Sequence, residues 1–278
     1  MRINEYPLTE SLSDDDVLVI DGETGTRTIK AIDTMNVLTD LMSVNNRRML
    51  FRGKNLGSVL TAEQRSSIQS GTFKGLCIGD YWVIGGVNWR IADFDYWYGA
   101  GDSELADHHI LIIPDTNLSE ANMNDSNSTD GGYKGSKMYT TNINTAKNTI
   151  NSAFGSNVLS HREYLTNTVT NGVPTGGDWN DSTVELLNEP MIYGHYIYTP
   201  SNNGANNVKR QSVSNTQLAL FQIAPHFVNK PDGATSRITY WLRDVANSTS
   251  FVSVSSYGTP QDTAASQEYG IRPVFAIG

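Results

Sequence analysis

Apolar and β-branched residues on either side of a glycine-containing turn, near the start of the chain, predict a small β-structured unit. The segments VLVID and TRTIKAID flank GETG, a pattern typical of a β-hairpin, with Asp21 and Gly25 as the expected turn residues. A two-stranded hairpin is barely stable alone in water. We therefore expect it to pack on the rest of the chain or on a neighbouring subunit.

Two helices are expected after the hairpin. Residues 33–49 place apolar side chains roughly on one helical face, and Asp33 or Thr34 is a suitable cap. The residues of that face are Met35, Leu38, Leu41, Met42 and Met49. The second helix is predicted to begin in LTAEQRSSIQ, where Thr61 is the expected N-terminal cap.

The next part of the chain shows a pattern of short strands. Tyr81–Ile84 and Val87–Phe94 are predicted as two strands joined by a two-glycine turn. HHILIIPD is predicted as a third strand, which ends at Pro114. Residues 115–141 are mostly polar and predict a long loop.

The second half of the chain mixes one clear helix with further strands. NINTAKNTINSAFG places its apolar residues on one helical face, and Gly155 is the expected stop. Those apolar residues are Ile143, Ala146, Ile150 and Phe154. SHREYLTNTVT is predicted as a strand, and STVELLNEPMIYGH as a short helix that begins at Ser182 or Thr183. The region from RITYWLRD onwards alternates strands and turns.

Composition favours a loop-rich α+β protein. Hydrophobic residues are 38% and charged residues 18% of the chain, and Asn, Ser, Thr, Gly and Tyr fill the difference. The net charge of −9 argues against nucleic acid as the partner. No long apolar stretch predicts membrane insertion, and the acidic N-terminus lacks the apolar core of a secretory signal. The single cysteine, Cys77, excludes an intrachain disulfide and is expected to be buried.

Candidate metal ligands are present, but their spacing is poor. Adjacent histidines on a strand point to opposite faces, so we expect one of His108 and His109 in the core and the other at the surface. Oxygen ligands for calcium could come from several segments, but these fit no calcium loop, and solvated loop residues are the preferred interpretation. Those segments hold Asp93, Asp95, Asp102 and Asp107; Asn122, Asn124, Asp125, Asn127 and Asp130; WND at Trp179–Asp181; and NEP at Asn188–Pro190. We predict no metal and no other cofactor.

Enzyme motifs are missing from the sequence. It contains neither G-x-S-x-G nor a phosphate-binding glycine loop, and Ser136 has no evident base partner. We therefore predict no catalytic residues and a protein that is not an enzyme. A hydrolase of cell-surface polysaccharide stays open as an alternative that would need two carboxylates in a cleft.

Aromatic residues beside Gly- and Asn-rich segments are the best candidates for binding. Tyrosine and tryptophan rings are rigid and amphipathic, and with Asn and Ser they make effective contact surfaces. The predicted binding residues are Tyr96, Trp97, Tyr98, Tyr133, Trp179, Tyr196 and Tyr198. About half of the aromatic side chains in these segments are expected to fill the core instead.

The C-terminal region resembles a widespread domain of uncharacterised function found in bacterial surface proteins and phage structural proteins. Its members end in a WLR…F…V…G……GVRP pattern, matched here by Trp241, Leu242, Arg243, Phe251, Val254, Gly258, Gly270, Arg272 and Pro273. The segments Gly79–Tyr98, HHILIIPD and GGYKGSKMYT resemble the front of the same domain, so the resemblance spans residues 71–278. That family is similar to the C-type-lectin-like fold, which implies a mixed α+β domain whose first and last strands pair.

Trp241, Arg243 and Arg272 are the predicted structural residues of this pattern. Both arginines lie within apolar strands, and a buried arginine must be paired and hydrogen-bonded. We therefore expect them to brace loops through backbone carbonyls or Asp244.

The N-terminal segment resembles the opening element of phage fibre and decoration proteins, through Asp14–Asp21 and Gly25–Ile29. The two resemblances imply an attachment and oligomerisation segment at residues 1–70 and a C-type-lectin-like domain with long loops at residues 71–278. They imply a fibre, spike or head-decoration subunit on the virion surface, which contacts other virion proteins through the first segment. A homo-oligomer is expected, as a trimer. The alternative is a receptor-binding adhesin that recognises a host-surface glycan or protein.

Overall fold

The computed structural model of the chain describes residues 17–22, 25–30, 38, 41–200, 216–231 and 234–278. The chain divides into two compact units, residues 1–47 and 48–278. The boundary between them follows Arg47, whereas the sequence placed the end of the attachment segment at residue 70. Leu60 and Ile68, which precede that position, are buried in the larger unit.

The first unit contains the predicted hairpin. Strand β1 (Val17–Gly22) pairs in antiparallel register with β2 (Gly25–Lys30). Asp21 lies within β1, opposite Thr26, so the expectation that Asp21 is a turn residue was wrong. The strand pairing continues one residue beyond Asp21, to the pair formed by Gly22 and Gly25 at the ends of the two strands.

Helical structure follows the hairpin within the first unit. Leu38 and Leu41 are helical, and a short helix, α1, spans Val44–Arg47. Much of the helix predicted for residues 33–49, including Met35, lies outside the described residues. Leu38 and Leu41 are 52% and 78% exposed, so their apolar side chains are not covered by the described part of the chain.

The larger unit contains strands β3–β14 and helices α2–α6. The strands are β3 (Tyr81–Ile84), β4 (Val87–Phe94), β5 (Ile110–Pro114), β6 (Ser119–Ala121), β7 (His161–Thr170), β8 (Val173–Ser182), β9 (Val184–Leu186), β10 (Tyr240–Val245), β11 (Ser250–Val254), β12 (Pro260–Ala264), β13 (Tyr269–Ile271) and β14 (Pro273–Ile277). The helices are α2 (Ala62–Gln69), α3 (Gly132–Gly135), α4 (Asn144–Phe154), α5 (Glu189–Tyr193) and α6 (Ala219–Ile223). Shorter turns are π-helical at Met138–Asn142 and 3-10 at Gly155–Asn157 and Pro225–Val228. This mixture of helices and sheets confirms the predicted α+β class.

Two five-stranded sheets and a long hairpin organise the larger unit. One sheet has the antiparallel order β3-β4-β5-β14-β9. The other has the order β12-β11-β10-β13-β6, in which only β10 and β13 run parallel. Strands β7 and β8 form a separate two-stranded ribbon. The last strand of the chain, β14, therefore lies in the centre of the first sheet, beside β5.

Local sequence explains the elements that were predicted correctly. Thr61 caps α2 in a capping box, in which its hydroxyl accepts from the Gln64 amide and the Gln64 side chain accepts from the Thr61 amide. The turn between β3 and β4 uses Gly85 and Gly86, both at positive φ, which other residues rarely adopt. The apolar face predicted for α4 is buried, and Gly155 follows the helix.

Two regions differ from the sequence prediction. Val184–Leu186 is a buried strand that pairs with β14, and the following helix begins at Glu189, so the predicted start at Ser182 or Thr183 was wrong. Asn188 caps that helix by accepting from the Met191 amide. The polar stretch 115–141 is also not a plain loop, because it contains β6, α3 and most of a π-helical turn.

Large aromatic side chains fill the core of the larger unit. Trp89 packs edge-on against Phe154 and Phe275, with ring centroids 5.6 and 5.7 Å apart. This contact joins α4 to the first sheet. Trp241 anchors a second cluster with residues such as Phe251, and its indole donates to the Ala121 carbonyl at 2.8 Å. Cys77 is buried, as expected.

None of the helices in the described part of the chain has both the length and the apolar character needed to cross a membrane.

Candidate functional site

The predicted aromatic binding residues do not form one surface. Tyr96, Trp97 and Tyr133 are at most 5% exposed, so these three are core residues and cannot provide an exposed contact surface. Burial raises the pKa of the Tyr133 phenol well above its usual value. The hydroxyl of Tyr96 donates to the Thr216 carbonyl at 2.7 Å. This hydrogen bond joins the segment after β4 to the segment before α6.

The other four aromatic candidates are exposed or half-buried and belong to three segments of the chain. Tyr98 is 47% exposed and stacks on the His108 ring at 4.7 Å. Trp179 lies on β8, in a strand, and packs edge-on against Tyr164 across the β7–β8 ribbon. Tyr196 is half-buried, and Tyr198 is 42% exposed near the end of the segment after α5.

The adjacent histidines behave as the strand geometry predicts. His109 is buried, its Nε2 accepts from the Trp97 amide at 3.0 Å, and its Nδ1 lies 2.9 Å from the Asp107 carbonyl oxygen. Nδ1 is therefore the protonated nitrogen of a neutral ring, and burial lowers the pKa of His109 below its usual value. His108 is partly exposed and its Nδ1 lies 2.8 Å from an Asp95 carboxylate oxygen. The two rings face different surroundings and do not converge on one ion.

Side chains of the motifs considered for calcium form hydrogen bonds and ion pairs within the protein. Glu189 is fully buried, and its carboxylate accepts from the amides of Ile197, Tyr198 and Thr199 at 2.9–3.2 Å. These bonds fix the segment that follows α5. In the ribbon, Asp181 lies 2.8 Å from Arg162. Within the described residues, no three His, Cys, Asp or Glu side chains are grouped so that they could hold a metal ion.

The polar run at residues 122–130 is likewise held by hydrogen bonds inside the protein. The Asn124 side chain accepts from the Lys137 amide, and the Asp125 carboxylate forms an ion pair with the Lys137 ammonium. Asn127 accepts from the backbone and the hydroxyl of Ser266. The loop is thus attached to the π-helical turn and to the strand region near residue 266.

Buried charges are concentrated between the ribbon and β10. Arg243 is 8% exposed and donates to Glu163 at 3.1 Å, so its partner is a carboxylate of the ribbon and not a loop carbonyl. Burial alone would lower the pKa of Arg243, but Glu163, Glu185 and Asp244 raise it above its usual value. Burial raises the pKa of the Glu185 carboxyl. We interpret Arg243, Glu163 and Glu185 as a structural ion network, because all three side chains are buried.

Arg272 does brace loops through backbone carbonyls, as predicted. Its guanidinium is fully buried and donates to the carbonyls of Pro114, Phe227 and Val228 at 2.8–2.9 Å. The ring of Tyr240 lies 5.1 Å from the guanidinium carbon. Arg272 therefore ties the end of β5 and the 3-10 turn at Pro225–Val228 to the last strand.

That 3-10 turn forms one wall of an open pocket of about 470 Å³, which we call the Tyr257 pocket. Its floor is apolar, with Ile192 from α5, Phe221 from α6 and Val228 from the turn itself. Pockets of this size and partly apolar character are typical of small-molecule sites. At this pocket, exposed side chains of the described part of the chain converge on a concave surface.

The rim of the Tyr257 pocket is aromatic and basic. It carries Tyr257, which is 84% exposed, and the exposed side chains of His226, Lys230 and Arg237. No Asp or Glu of the described chain lines it. The pocket is thus locally basic in a chain whose net charge is −9.

Hydrogen bonds hold the turn that carries Tyr257 in place. Tyr193 donates its hydroxyl proton to the Gly258 carbonyl at 3.1 Å, and the Asn229 amide donates to the Ser256 carbonyl at 2.7 Å. Gly258 has φ +81°, a left-handed conformation that suits glycine. Sequence reasoning missed this site. The one signal was the grouping of three basic residues within 226–237, and their convergence depends on a turn that is distant in sequence.

A family profile described as a domain of unknown function, DUF6273, matches residues 107–278, well over half of the chain. A search of curated proteins found no match, and a search of solved structures found none either. The matched region begins just before β5 and includes the Tyr257 pocket.

Proposed function

Since this chain belongs to the DUF6273 family, whose function is unknown, we propose its role from its organisation: a non-enzymatic structural subunit of a tailed-phage particle. In this role, a fibre, spike or head-decoration subunit attaches through the first unit and presents the larger unit outward. The division of the chain into two compact units, 1–47 and 48–278, carries this proposal.

The first unit has the properties of an assembly element. A two-stranded hairpin is marginal alone, and β1 and β2 pair with each other as a sheet of their own. Leu38 and Leu41 expose apolar side chains that a neighbouring subunit could cover. A symmetric homo-oligomer, which we propose to be a trimer, would bury these side chains.

The larger unit is suited to display. Its first matched strand, β5, pairs directly with its last strand, β14, through pairs such as Ile112 with Phe275. The first strand of the domain predicted at residues 71–278 is β3, which lies in the same sheet as β14 but is separated from it by β4 and β5, so the direct pairing that the resemblance implied is not formed. The shared sheet is the feature on which we propose a C-type-lectin-like fold as the finer description of this domain. Buried charged side chains such as Arg272 and Glu189 form hydrogen bonds with backbone groups, and these bonds stabilise loops.

Light scattering after size-exclusion chromatography tests the proposed assembly role. We would compare the full chain with residues 48–278. The shorter chain begins at Arg48 because Phe51 packs on Phe227 at 5.5 Å and Arg52 pairs with Asp80, so a start at Gly71 would remove contacts of the larger unit. We expect an oligomeric full chain and a folded, monomeric 48–278.

A point variant supplies a control that keeps the chain length. Leu41→Asn in the full chain should shift the oligomer towards monomer, because it removes an exposed apolar contact. Asn45→Ala, an exposed change in the same segment, should leave the oligomer intact. A full chain that is monomeric at all concentrations would contradict the proposed assembly role.

The Tyr257 pocket favours a second candidate, a receptor-binding adhesin that recognises a host-surface glycan or protein. An open, partly apolar pocket with an exposed aromatic ring is suited to ligand contact. A glycan array probed with the full chain tests this candidate. Binding that is lost in Tyr257→Ala would support it, and silence on glycans together with host-surface extracts would count against it.

A further inference from the structure

We infer that the Tyr257 pocket binds a carboxylate-bearing sugar, such as an acidic residue of a surface glycan. The inference rests on the adhesin role proposed above and gives the chemical class of its ligand. It depends on the shape of the pocket, on Lys230 and Arg237, which have no ion-pair partner among the described residues, and on the exposed ring at the rim.

The charges on the rim select an anion. Lys230 and Arg237 are exposed, and no ion pair with a carboxylate of the described chain occupies either of them. Arg237 makes a long hydrogen bond of 3.4 Å to the Ser256 carbonyl, which turns its guanidinium towards the turn that bears Tyr257. Guanidinium and ammonium groups form their strongest hydrogen bonds with carboxylate or phosphate oxygens. A carboxylate that binds in the pocket could pair with both groups without displacing an ion pair formed by the described part of the chain.

The remaining groups favour a sugar as the carrier of that carboxylate. Tyr257 is 84% exposed, and an exposed ring can pack against the C–H face of a pyranose. The Gln217 side chain also lines the pocket; its amide nitrogen donates to the Ile192 carbonyl, and its amide oxygen can accept from a sugar hydroxyl. An apolar floor with a few polar groups is the usual composition of a site that fixes a ligand's orientation.

The pocket is preorganised, which reduces the entropic cost of binding. Asn229 is 5% exposed and fixes the Ser256 carbonyl, and Tyr193 fixes the Gly258 carbonyl from the opposite side. Val228, next to Asn229, is held through its carbonyl by the fully buried Arg272. The wall and the turn are therefore positioned by residues that a ligand does not have to move.

Ligand-observed NMR titration of the full chain tests the inference with a matched pair of probes. Methyl β-D-glucuronide carries the carboxylate, and methyl β-D-glucoside has the same ring without it. We expect the glucuronide to bind at least about tenfold more tightly, since hydrogen bonds to a charged group are stronger than those between neutral groups. Raising the NaCl concentration from about 20 to about 500 mM should weaken the binding of the glucuronide and leave the binding of the glucoside nearly unchanged.

Variants at exposed positions assign the binding to this pocket. Arg237→Gln and Lys230→Gln should each lower the affinity for the glucuronide, and the two together should lower it by about tenfold. Tyr257→Ala should lower the affinity for both sugars. Lys74→Gln, a charge change at an exposed residue that does not line the pocket, is the matched control and should have no effect. All of these side chains are exposed, so thermal melting should show the same fold in each variant.

Several outcomes would overturn the inference. Equal affinity for the glucuronide and the glucoside would indicate a neutral sugar site, and binding of N-acetylglutamate as tight as that of the glucuronide would indicate a carboxylate site without sugar preference. Inorganic phosphate that competes as well as the glucuronide would indicate a generic anion site. Binding of neither sugar would remove the inference, whereas glycan-array binding that is lost in Tyr257→Ala would keep the adhesin role, so the two failures are distinguishable.

Discussion

Arg272 shows how a single buried charge can hold distant segments together. Its contacts with three carbonyls were expected in kind from the sequence, because a charge inside an apolar strand must find hydrogen-bond acceptors. The partner of Arg243 was not predicted, because Glu163 is 80 residues away and only the packing of the ribbon against β10 brings it near. The type of a residue does not show whether it is buried. For this reason Tyr96, Trp97 and Tyr133 were predicted to be binding residues.

Arg272→Lys should destabilise the larger unit. Lysine keeps the charge but cannot reach the three carbonyls with one ammonium group, so acceptors lose their partners in a buried site. We expect the free energy of unfolding to fall by about 3 kcal/mol, measured by urea denaturation. Arg65→Lys, an exposed change on α2, is the control and should leave stability within about 0.5 kcal/mol of the parent. Equal stability of Arg272→Lys and the parent would contradict the bracing role.

His109 should make the stability of the protein depend on pH. Burial lowers its pKa in the folded state, so below the ordinary histidine pKa of about 6.5 the unfolded chain binds the proton more readily. The contribution of His109 to stability is therefore complete above about pH 6.5 and is lost as the pH falls.

Urea denaturation at several pH values checks this expectation. The decline in unfolding free energy between about pH 7 and pH 5 should be shallower in His109→Gln than in the parent. His195→Gln alters an exposed histidine and should keep the parental slope. An unchanged slope in His109→Gln would show that His109 titrates alike in both states.

At the scale of elements, the strength of the local pattern decided which predictions held. The helix α4 has clear periodicity, β3 and β4 flank a two-glycine turn, and β5 is an apolar run that ends at a proline, so their bounds match the prediction closely. Strand β8 was missed because Gly176 and Gly177 weaken any strand signal, and its pairing with β7 provides what the local sequence lacks. The three-residue β9 is too short for an alternating pattern, and its burial beside β14 holds it in place.

The segment after α5 should depend on one carboxylate. Glu189→Gln replaces an acceptor oxygen with an NH₂ group that faces backbone donors at Ile197, Tyr198 and Thr199. We expect a loss of about 1–3 kcal/mol and faster hydrogen exchange of these three amides. Glu120→Gln makes the same chemical change at an exposed site on β6 and should alter neither. Unchanged exchange in Glu189→Gln would contradict the anchoring role.

At the scale of the whole molecule, the sequence indicated an N-terminal segment separate from a larger α+β domain but not where one ends. Residues 48–70 join the larger unit through contacts such as that of Phe51 with Phe227, which no local pattern shows. The Tyr257 pocket was invisible for the same reason, since its floor, wall and rim come from α5, α6, the 3-10 turn and the β11–β12 turn. Such sites depend on tertiary packing, which no local pattern records.

Immunoelectron microscopy of purified particles tests the central claim of a displayed particle subunit most directly. Antibodies against residues 48–278 would be applied to intact particles from a density gradient of a lysate in which the chain is produced. We predict that the chain co-sediments with the particles and that gold label decorates their outer surface. A chain that stays in the soluble fraction, with unlabelled particles, would contradict the account.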